Sequence, residues 1–322
     1  MTSHASANEF EPAGHPLGTL TALDTADGSL SLHSSLFSEA FHSSAGALAE
    51  ANAKFVAPAQ LERFAGIGIV RVLDVCVGLG YNSAALMEAL SAFGATRLQW
   101  WGLELDRRPL QLALANKGFG ALWSPPVLTR LQALRDQGSW WDANGHTQGQ
   151  LLWGDARSQL LNLPSGVGFD LVLMDAFSPS QCPELWSEEF LLGLAQRLAP
   201  GGRLLTYSRA AAIRGSLVRA GLELRSLLPA PGQRREWSSG TLAFRPDLHA
   251  AVSAHGPGWQ PLSAMEHDHL TTRAAIPYRD PSGTATADAI RQQRRKEQEQ
   301  CGLCSTSSWQ RRWLSSIAAQ HQ

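Results

Sequence analysis

The sequence predicts an α/β fold in which a mostly parallel, seven-stranded sheet carries helices on both of its faces. Short apolar runs alternate with amphipathic segments between about residues 70 and 244. Strands that alternate with helices at this spacing pair in parallel and are joined by right-handed crossovers. Four of the runs end at or beside an acid, at Asp74, Glu104, Asp155 and Asp175. In such a sheet these strand ends share one edge, where ligands bind.

Each element is assigned from its hydrophobic period and its flanking turn residues. Weak strand signals from about residue 30 precede a helical stretch at about 45–55. Pro200-Gly201-Gly202 is expected to end the helix that precedes the fifth strand. The expected strands are 70–76, 98–105, 151–153, 171–174, 203–207, 222–228 and 239–244, and the expected helices between them are 83–93, 109–116, 185–198 and 211–220.

The chain of 322 residues is long enough to bury a sizeable core. We predict a flexible N-terminal arm over 1–30, one α/β domain over 31–245 and an extended C-terminal tail over 246–322. The arm is rich in Ser, Thr, Ala, Gly and His. The tail loses the strand–helix alternation but contains a charged, Gln-rich stretch at 289–300 that we expect to be helical.

The formal net charge of −1 argues against general binding to polyanions. The charge is unevenly distributed, however. Residues 1–60 hold six acids against one lysine, and residues 203–245 hold eight arginines against two acids. This predicts a basic face for nucleic acid, with solvated, scattered arginines as the alternative. Neither a secretory signal nor an apolar run of membrane length is visible, so we expect a cytoplasmic protein without membrane contact.

Four cysteines are too few for a disulfide framework at this length. Cys301 and Cys304 form one CxxC pair in the polar tail. A structural zinc site needs a second pair or histidine partners at suitable spacing, so we expect no metal. The sequence does not indicate an oligomeric state.

The strongest local signal runs from Asp74 through Gly78-Leu79-Gly80 to Asn82. An apolar strand ends in an acid and a GxG turn, and a helix follows. Glycines there let the backbone approach a ligand, and the helix N-terminus offers free N–H groups. A nicotinamide dinucleotide fingerprint needs a third glycine near Ser83, which is missing. The loop therefore favours a cofactor whose amino-acid part lies over it.

Acids at the ends of the next two strands extend this prediction. Glu104 is expected to accept hydrogen bonds from both ribose hydroxyls of an adenosine, with Asp106 as the alternative. Asp155, which precedes Ala156, is expected to accept a hydrogen bond from an adenine amino group. Such acids at consecutive strand ends, in this order, predict a cofactor that contains adenosine.

This arrangement resembles the class I S-adenosylmethionine-dependent methyltransferases, which have a Rossmann-like fold. The finer pattern is similar to the methyltransferase part of the MnmC enzymes, which make 5-methylaminomethyl-2-thiouridine at the wobble position of bacterial tRNA. The resemblance covers about residues 34–244. It rests on Gly78-Leu79-Gly80-Tyr81-Asn82 with Asp74, on Gly46, Leu48 and Glu50 before Phe55-Val56, on Asp175-Ala176-Phe177-Ser178-Pro179 with Pro183 and Trp186, and on Arg235-Glu236.

The resemblance implies S-adenosylmethionine as the cofactor and tRNA as a partner. The implied cofactor residues are Asp74, Gly78, Leu79, Gly80, Asn82, Glu104, Asp155 and Ala156. Bifunctional members of the family also carry a flavin-dependent oxidase domain, whose dinucleotide fingerprint this sequence lacks. The residues after Arg245 have no counterpart in the resemblance.

The acid at the fourth strand end is the candidate catalytic residue. Asp175 is expected to accept a hydrogen bond and a proton from an acceptor amine, unless it caps the following turn. Phe177 and Pro179 are expected to form a wall for a uracil ring. Trp186 is a candidate to stack on a nucleobase, but ordinary packing is the favoured interpretation.

Arg234 and Arg235 are expected to contact tRNA phosphates, with solvent exposure as the alternative. The leading hypothesis is therefore an N-methyltransferase that acts on the aminomethyl group of a modified wobble uridine. Three alternatives remain at this point, namely an aminopropyltransferase of the spermidine synthase type, a methyltransferase of another amine, and a non-catalytic RNA-binding relative.

Overall fold

The computed structural model describes residues 16–93, 97–142, 147–229, 238–247 and 252–320, with side chains described as far as residue 313. The chain divides into two compact units. Unit 1 comprises Met1–Leu163 and Leu173–Phe177, and unit 2 comprises Pro164–Val172 and Ser178–Gln322.

Unit 1 begins with a small antiparallel sheet. Strands β1 (Leu20–Asp24), β2 (Leu30–Ser34) and β3 (Glu39–Ala40) pair in sequence order. Leu20 and Leu32 are buried in it. The segment expected to be a flexible arm contains strand β1. This strand forms there because each of its residues pairs with a residue of β2. Helix α1 (Ala47–Ala51), a π-helical turn (Asn52–Val56), helix α2 (Ala57–Ala59) and a 3-10 turn (Leu61–Phe64) follow.

The larger sheet of unit 1 is parallel at its centre. Strand β4 (Ile69–Val75) pairs in parallel with β5 (Arg97–Glu104), and β5 pairs in parallel with β7 (Gln148–Trp153). The short strand β6 (Ser139–Trp141) runs antiparallel to β7 at the edge. The helices of this part are α3 (Tyr81–Ser91), α4 (Arg108–Ala115), α5 (Lys117–Gly120), α6 (Pro125–Gln137) and α7 (Ala156–Gln159).

Strand β8 (Phe169–Met174) contributes its last two residues to unit 1 and its first four to unit 2. In unit 2 the strand order is β12, β10, β11, β9, β8. Strand β11 is antiparallel to both β9 and β10. The further elements of unit 2 are α8 (Glu188–Gln196), β9 (Leu198–Thr206), α9 (Ala211–Arg219), β10 (Glu223–Leu227), β11 (Gly240–Phe244), β12 (Trp259–Gln260), α10 (Ala264–His269), α11 (Ala287–Gln300) and α12 (Thr306–Gln320).

The predicted fold class is confirmed as a mixed α/β fold with a large, mostly parallel central sheet. Among the described residues this sheet has nine strands instead of seven, because the short strands β6 and β12 add one at each edge. Strand β9 begins before the predicted glycine turn and includes it. A side chain at Gly202 would lie 2.5 Å from the carbonyl oxygen of Phe169, so the strand needs glycine for this close approach.

The segment expected to be an extended tail is folded into unit 2. Trp259 is almost fully buried there, and Glu266 of α10 forms a buried ion pair with Arg214, with 2.7 Å between nitrogen and oxygen. The predicted charged helix is present as α11, whose first turn is capped by the side chain of Thr286. Among the described residues, each helix is too short or too polar to cross a bilayer.

Candidate cofactor and acceptor site

The loop after β4 has a conformation that favours glycine. Gly78 and Gly80 have φ angles of 55° and 90°, and Cys76 adopts 68°. A side chain at Gly80 would lie 3.2 Å from a methyl carbon of Leu110. Gly80 also begins helix α3 without a side-chain cap. Main-chain N–H groups at such a helix start are a binding site for the polar end of a ligand.

Asp74 lies beneath this loop and holds it to the helix. The Ser83 hydroxyl donates a 2.5 Å hydrogen bond to the carboxyl group of Asp74, and the Trp100 indole donates to the Ser83 oxygen at 2.9 Å. Burial raises the pKa of Asp74 to about 7, although the hydrogen bond from Ser83 lowers it. The negative charges of Asp175 and Glu104 contribute to the rise. Asp74 has no exposed surface, so its side chain supports the loop, and its contact with the cofactor stays a prediction.

Two other predicted cofactor residues also turn their side chains inward. Leu79 and Ala156 are 1% and 6% exposed, which leaves mainly their backbone atoms for a ligand. Leu79 is buried because its side chain is apolar and packs closely within the loop. The sequence does not distinguish such a residue from one that faces the cofactor.

Glu104 connects the end of β5 to the glycine loop. Its two carboxylate oxygens accept 2.8 Å hydrogen bonds, one from the Gly78 amide and the other from the Asp106 amide. Burial raises the pKa of Glu104 above its ordinary value. Each carboxylate oxygen has a second lone pair, so Glu104 retains acceptor capacity for hydroxyl groups.

Asp106, the alternative to Glu104, is already engaged by a neighbouring cation. The Arg108 guanidinium donates to both oxygens of Asp106, at 2.9 and 2.6 Å. Arg108 also donates to the carbonyl oxygens of Gly18 and Leu17, which ties the N-terminal segment to this pair. The geometry favours Glu104 over Asp106 as a candidate ribose ligand.

Asp155 follows β7 and caps helix α7. Its carboxylate accepts a 2.9 Å hydrogen bond from the Arg157 amide and forms an ion pair with the Arg157 side chain at 2.7 Å. The side chain remains 40% exposed, so it can still accept a bond from a ligand. Aspartate is a preferred N-cap residue, so capping of α7 would by itself explain an aspartate at this position.

Asp175 follows β8 directly and belongs to unit 1. Its amide donates a hydrogen bond to the Val75 carbonyl oxygen, and its Oδ2 accepts a 2.7 Å bond from the Asn82 side chain. Burial raises the pKa of Asp175 to about 6, against the opposing effect of the Asn82 hydrogen bond. The residue as a whole is half-buried at this edge of the sheet. Asn82, predicted to bind the cofactor, has its side-chain amide directed at Asp175.

An aromatic cluster lies beside these residues. The rings of Phe37 and Phe177 stack with centroids 4.4 Å apart, and Phe41 contacts Phe177 edge to face at 4.9 Å. A side chain at Gly78 would lie 3.4 Å from the Phe41 ring, so the cluster adjoins the loop. All three phenylalanines are half-buried and present aromatic surface. Phe37 and Phe41 were not predicted as site residues. The available signal in the sequence was two phenylalanines four residues apart in a region of weak strand pattern.

A partly buried ion pair between helix α1 and the π-helical turn acts on Asp175. Lys54 and Glu50 are 2.9 Å apart, and their side chains are 19% and 15% exposed. The negative charge of Glu50 raises the pKa of Asp175, and the positive charge of Lys54 lowers it. Glu50 also accepts a hydrogen bond from the Ser43 amide. Sequence analysis included Glu50 only as part of a motif and did not include Lys54.

The remaining predicted residues lie in unit 2 or outside the described residues. Trp186 is fully buried in unit 2, where its ring meets Tyr207 edge to face, an arrangement that fits the favoured interpretation of packing and not the candidate role in stacking. Its apolar neighbours in the core explain why packing prevails. Pro179 is half-buried in unit 2. Arg234 and Arg235 lie outside the described residues.

Comparisons with known proteins agree with this geometry. The family model for S-adenosyl-L-methionine-dependent methyltransferases matches residues 124–243. The crystal structure of MnmC2 from Aquifex aeolicus is similar, with a TM-score of 0.72 and 28% identity over 88% of this chain and 86% of that one. The chain carries an MnmC-like, S-adenosyl-L-methionine-dependent methyltransferase domain.

Two relatives show the extent of the likeness. The bifunctional MnmC protein of Pseudomonas paraeruginosa is 32% identical over 254 residues, which are 76% of this chain and 37% of the relative. An uncharacterized protein of Methanocaldococcus jannaschii is 27% identical over 288 residues, which are 86% of this chain and 72% of the relative. The chain thus spans little more than a third of the length of the bifunctional relative.

These matches favour methyl transfer over aminopropyl transfer and over a non-catalytic role. The site also fits the cofactor on structural grounds. The glycines leave room for a ligand over the loop, and Glu104 and Asp155 offer carboxylate oxygens at consecutive strand ends.

Proposed function

We propose that this protein transfers a methyl group to the aminomethyl nitrogen of a modified wobble uridine in tRNA. The observation that carries the proposal is the position of the half-buried Asp175 carboxyl group between the glycine loop and the aromatic cluster of Phe37, Phe41 and Phe177. The MnmC relatives are named for tRNA 5-methylaminomethyl-2-thiouridine biosynthesis, and that product carries a methylated aminomethyl nitrogen.

The cofactor would be held by the edge formed at β4, β5 and β7. Backbone groups of Gly78 and Gly80 would contact its amino-acid part, Glu104 would accept from the ribose hydroxyls, and Asp155 would accept from the adenine amino group. When bound, S-adenosylmethionine supplies an electrophilic methyl group on a sulfonium. The side chains of Asp74 and Asn82 support this edge from below and from the side.

The chain's own contribution to the reaction is to position and deprotonate the amine. An aminomethyl group is mostly protonated in water and has no free lone pair in that state. Asp175, whose pKa is near 6, is mostly ionised at neutral pH and would accept the amine proton. Phe177, with Phe37 and Phe41, would hold the uracil ring and thereby align its substituent. Pro179 is proposed to border the same ring.

Binding of the rest of the tRNA is proposed to use part of the arginine-rich stretch between residues 203 and 245, in which Arg203 and Arg214 are buried. Arg234 and Arg235 are the candidates for phosphate contacts there. Their replacement by alanine should weaken tRNA binding and flatten its salt dependence by about one ion per lost contact. A salt dependence equal to that of the wild type would place the RNA contact elsewhere.

The experiment that tests the proposed function is nucleoside mass spectrometry. Purified protein is incubated with S-adenosylmethionine and tRNA from a strain that lacks this gene. We expect methylaminomethyl-uridine to form while its aminomethyl precursor declines, and we expect Asp175→Asn protein to leave the precursor unchanged. An unaltered nucleoside profile with the wild-type protein would remove the tRNA assignment and leave the methyltransferase with another acceptor.

A further inference from the structure

A groove separate from the candidate cofactor edge lies between helix α6 and strand β6 in unit 1. It has a volume of about 360 Å³ and is lined by one face of α6 and by β6, including Thr129, Arg130, Gln137, Trp140 and Trp141. This volume is in the range of small-molecule and nucleotide sites. We call it the α6–β6 groove.

Strand geometry explains the two tryptophans in this groove. Successive side chains of a strand alternate between its faces. Trp140 is buried opposite Gly149 on β7, where any side chain would lie 2.3 Å from the indole nitrogen of Trp140. Trp141 is 67% exposed, although tryptophan is one of the largest apolar side chains. Trp140 therefore anchors the edge strand, and Trp141 presents an open aromatic surface.

Arg130 supplies a cation in the same groove. Its guanidinium carbon lies over the Trp140 ring, 4.8 Å from the centroid, in a cation–π contact. Asp142 lies near enough to act on its charge, but within the described part of the chain no carboxylate forms an ion pair with Arg130 at hydrogen-bond distance. The N–H groups at the guanidinium edge remain available to an anionic ligand.

The Trp141 end of the groove is separated from the edge that would hold the cofactor. Trp141 pairs with Gln148, the first residue of β7, whereas Asp155 follows the last residue, Trp153. Five steps along a strand amount to roughly 17 Å. The other end of the groove, at Gln137, is nearer to Trp153, because a side chain at the next residue, Gly138, would lie 3.9 Å from the Trp153 indole nitrogen. The aromatic surface of Trp141 therefore lies away from the proposed adenosine site.

We infer that the α6–β6 groove binds a nucleotide of the substrate tRNA at a distance from the methylated base. Proteins hold unpaired nucleotides by stacking a base on an aromatic ring and by pairing the phosphate with arginine. Trp141 provides the ring, Arg130 the cation, and Thr129 and Gln137 provide hydrogen-bonding groups beside them. The inference rests on the proposed function, because it takes tRNA as the substrate.

The test compares tRNA affinity among variants of the full chain. Trp141→Ala should bind unmodified tRNA about tenfold more weakly, because stacking on one aromatic ring is removed. Trp141→Phe should recover most of this loss, since phenylalanine also stacks. Arg130→Ala should weaken binding and reduce the salt dependence by about one ion. Leu161→Ala is the control, because Leu161 is a 76% exposed apolar residue of the same unit outside the groove.

The outcomes separate this inference from the proposed function. Calorimetric titration with S-adenosylmethionine should give the wild-type affinity for every variant, which shows that each is folded. Trp141→Ala protein with wild-type tRNA affinity would overturn the inference while the proposed function stands. If the Trp141→Ala protein has wild-type tRNA affinity but a changed sedimentation coefficient, the inference is also overturned and the groove is assigned to self-association. Wild-type protein that binds S-adenosylmethionine but no tRNA would overturn both.

Discussion

The side-chain amide of Asn82, in the first turn of α3, donates a 2.7 Å hydrogen bond to Oδ2 of Asp175, 93 residues further along the chain. The bond joins the helix after the glycine loop to the end of β8. It orients the carboxyl group that we propose as the proton acceptor, and it stabilises the ionised form of that group against burial. The ligand loop and the candidate base are therefore one connected structure.

The first prediction concerns Asp175 itself. Asp175→Asn keeps the size of the side chain but removes the proton acceptor, so we expect turnover to fall by about 10²- to 10⁴-fold. Calorimetry should show unchanged S-adenosylmethionine affinity. In the wild type, the carboxylate form is lost as the pH falls below the Asp175 pKa of about 6, so kcat/KM should decline on the acid side of pH 6. Full activity of the variant would remove Asp175 from the mechanism.

A second prediction distinguishes two roles for Asn82. Asn82→Ala removes the hydrogen bond that lowers the Asp175 pKa, so the acid limb of the pH–rate profile should move to higher pH. Asn162→Ala is a matched control, because Asn162 is an exposed amide far along the chain in a 3-10 turn. An unmoved acid limb together with weaker S-adenosylmethionine binding would instead make Asn82 a cofactor ligand.

The third prediction separates the two acids after β5. Glu104→Gln weakens the acceptor proposed for the ribose hydroxyls, and we expect S-adenosylmethionine affinity to fall at least about tenfold, since hydrogen bonds to charged groups contribute roughly 1.5–3 kcal/mol. Asp106→Asn disrupts the Arg108 pair and should leave that affinity close to the wild-type value. Titration calorimetry on both variants decides between them, and the reverse order of affinities would make Asp106 the ligand.

The sequence predicted the parallel strands closely because their apolar runs are short and bounded by turns. It also located the acids Glu104, Asp155 and Asp175, because each lies at the last residue of a recognisable strand or within two residues after it. It did not predict that Phe37 and Phe41 meet Phe177, since the contacts join residues 140 and 136 positions apart. No local pattern specifies such a contact.

The burial of individual side chains could likewise not be predicted from the sequence pattern. Trp186 fits equally a stacking platform and a core residue until its neighbours, such as Tyr207, are known. The folding of the C-terminal segment was missed because its composition is polar. Its attachment to unit 2 depends on a buried cation, Arg214, and a carboxylate 52 residues later, Glu266.

The fourth prediction tests this attachment. Arg214 donates to Glu266, to the Thr241 hydroxyl and to the Gly240 carbonyl oxygen, and both charged side chains are nearly inaccessible. Glu266→Ala leaves the buried guanidinium without its counter-ion, so the free energy of unfolding should fall by about 3–5 kcal/mol. Arg279→Ala removes ion pairs in which the arginine is 43% exposed, and should cost no more than about 1 kcal/mol. Urea unfolding measures both, and equal losses would show that the buried pair has no special role in holding α10 to unit 2.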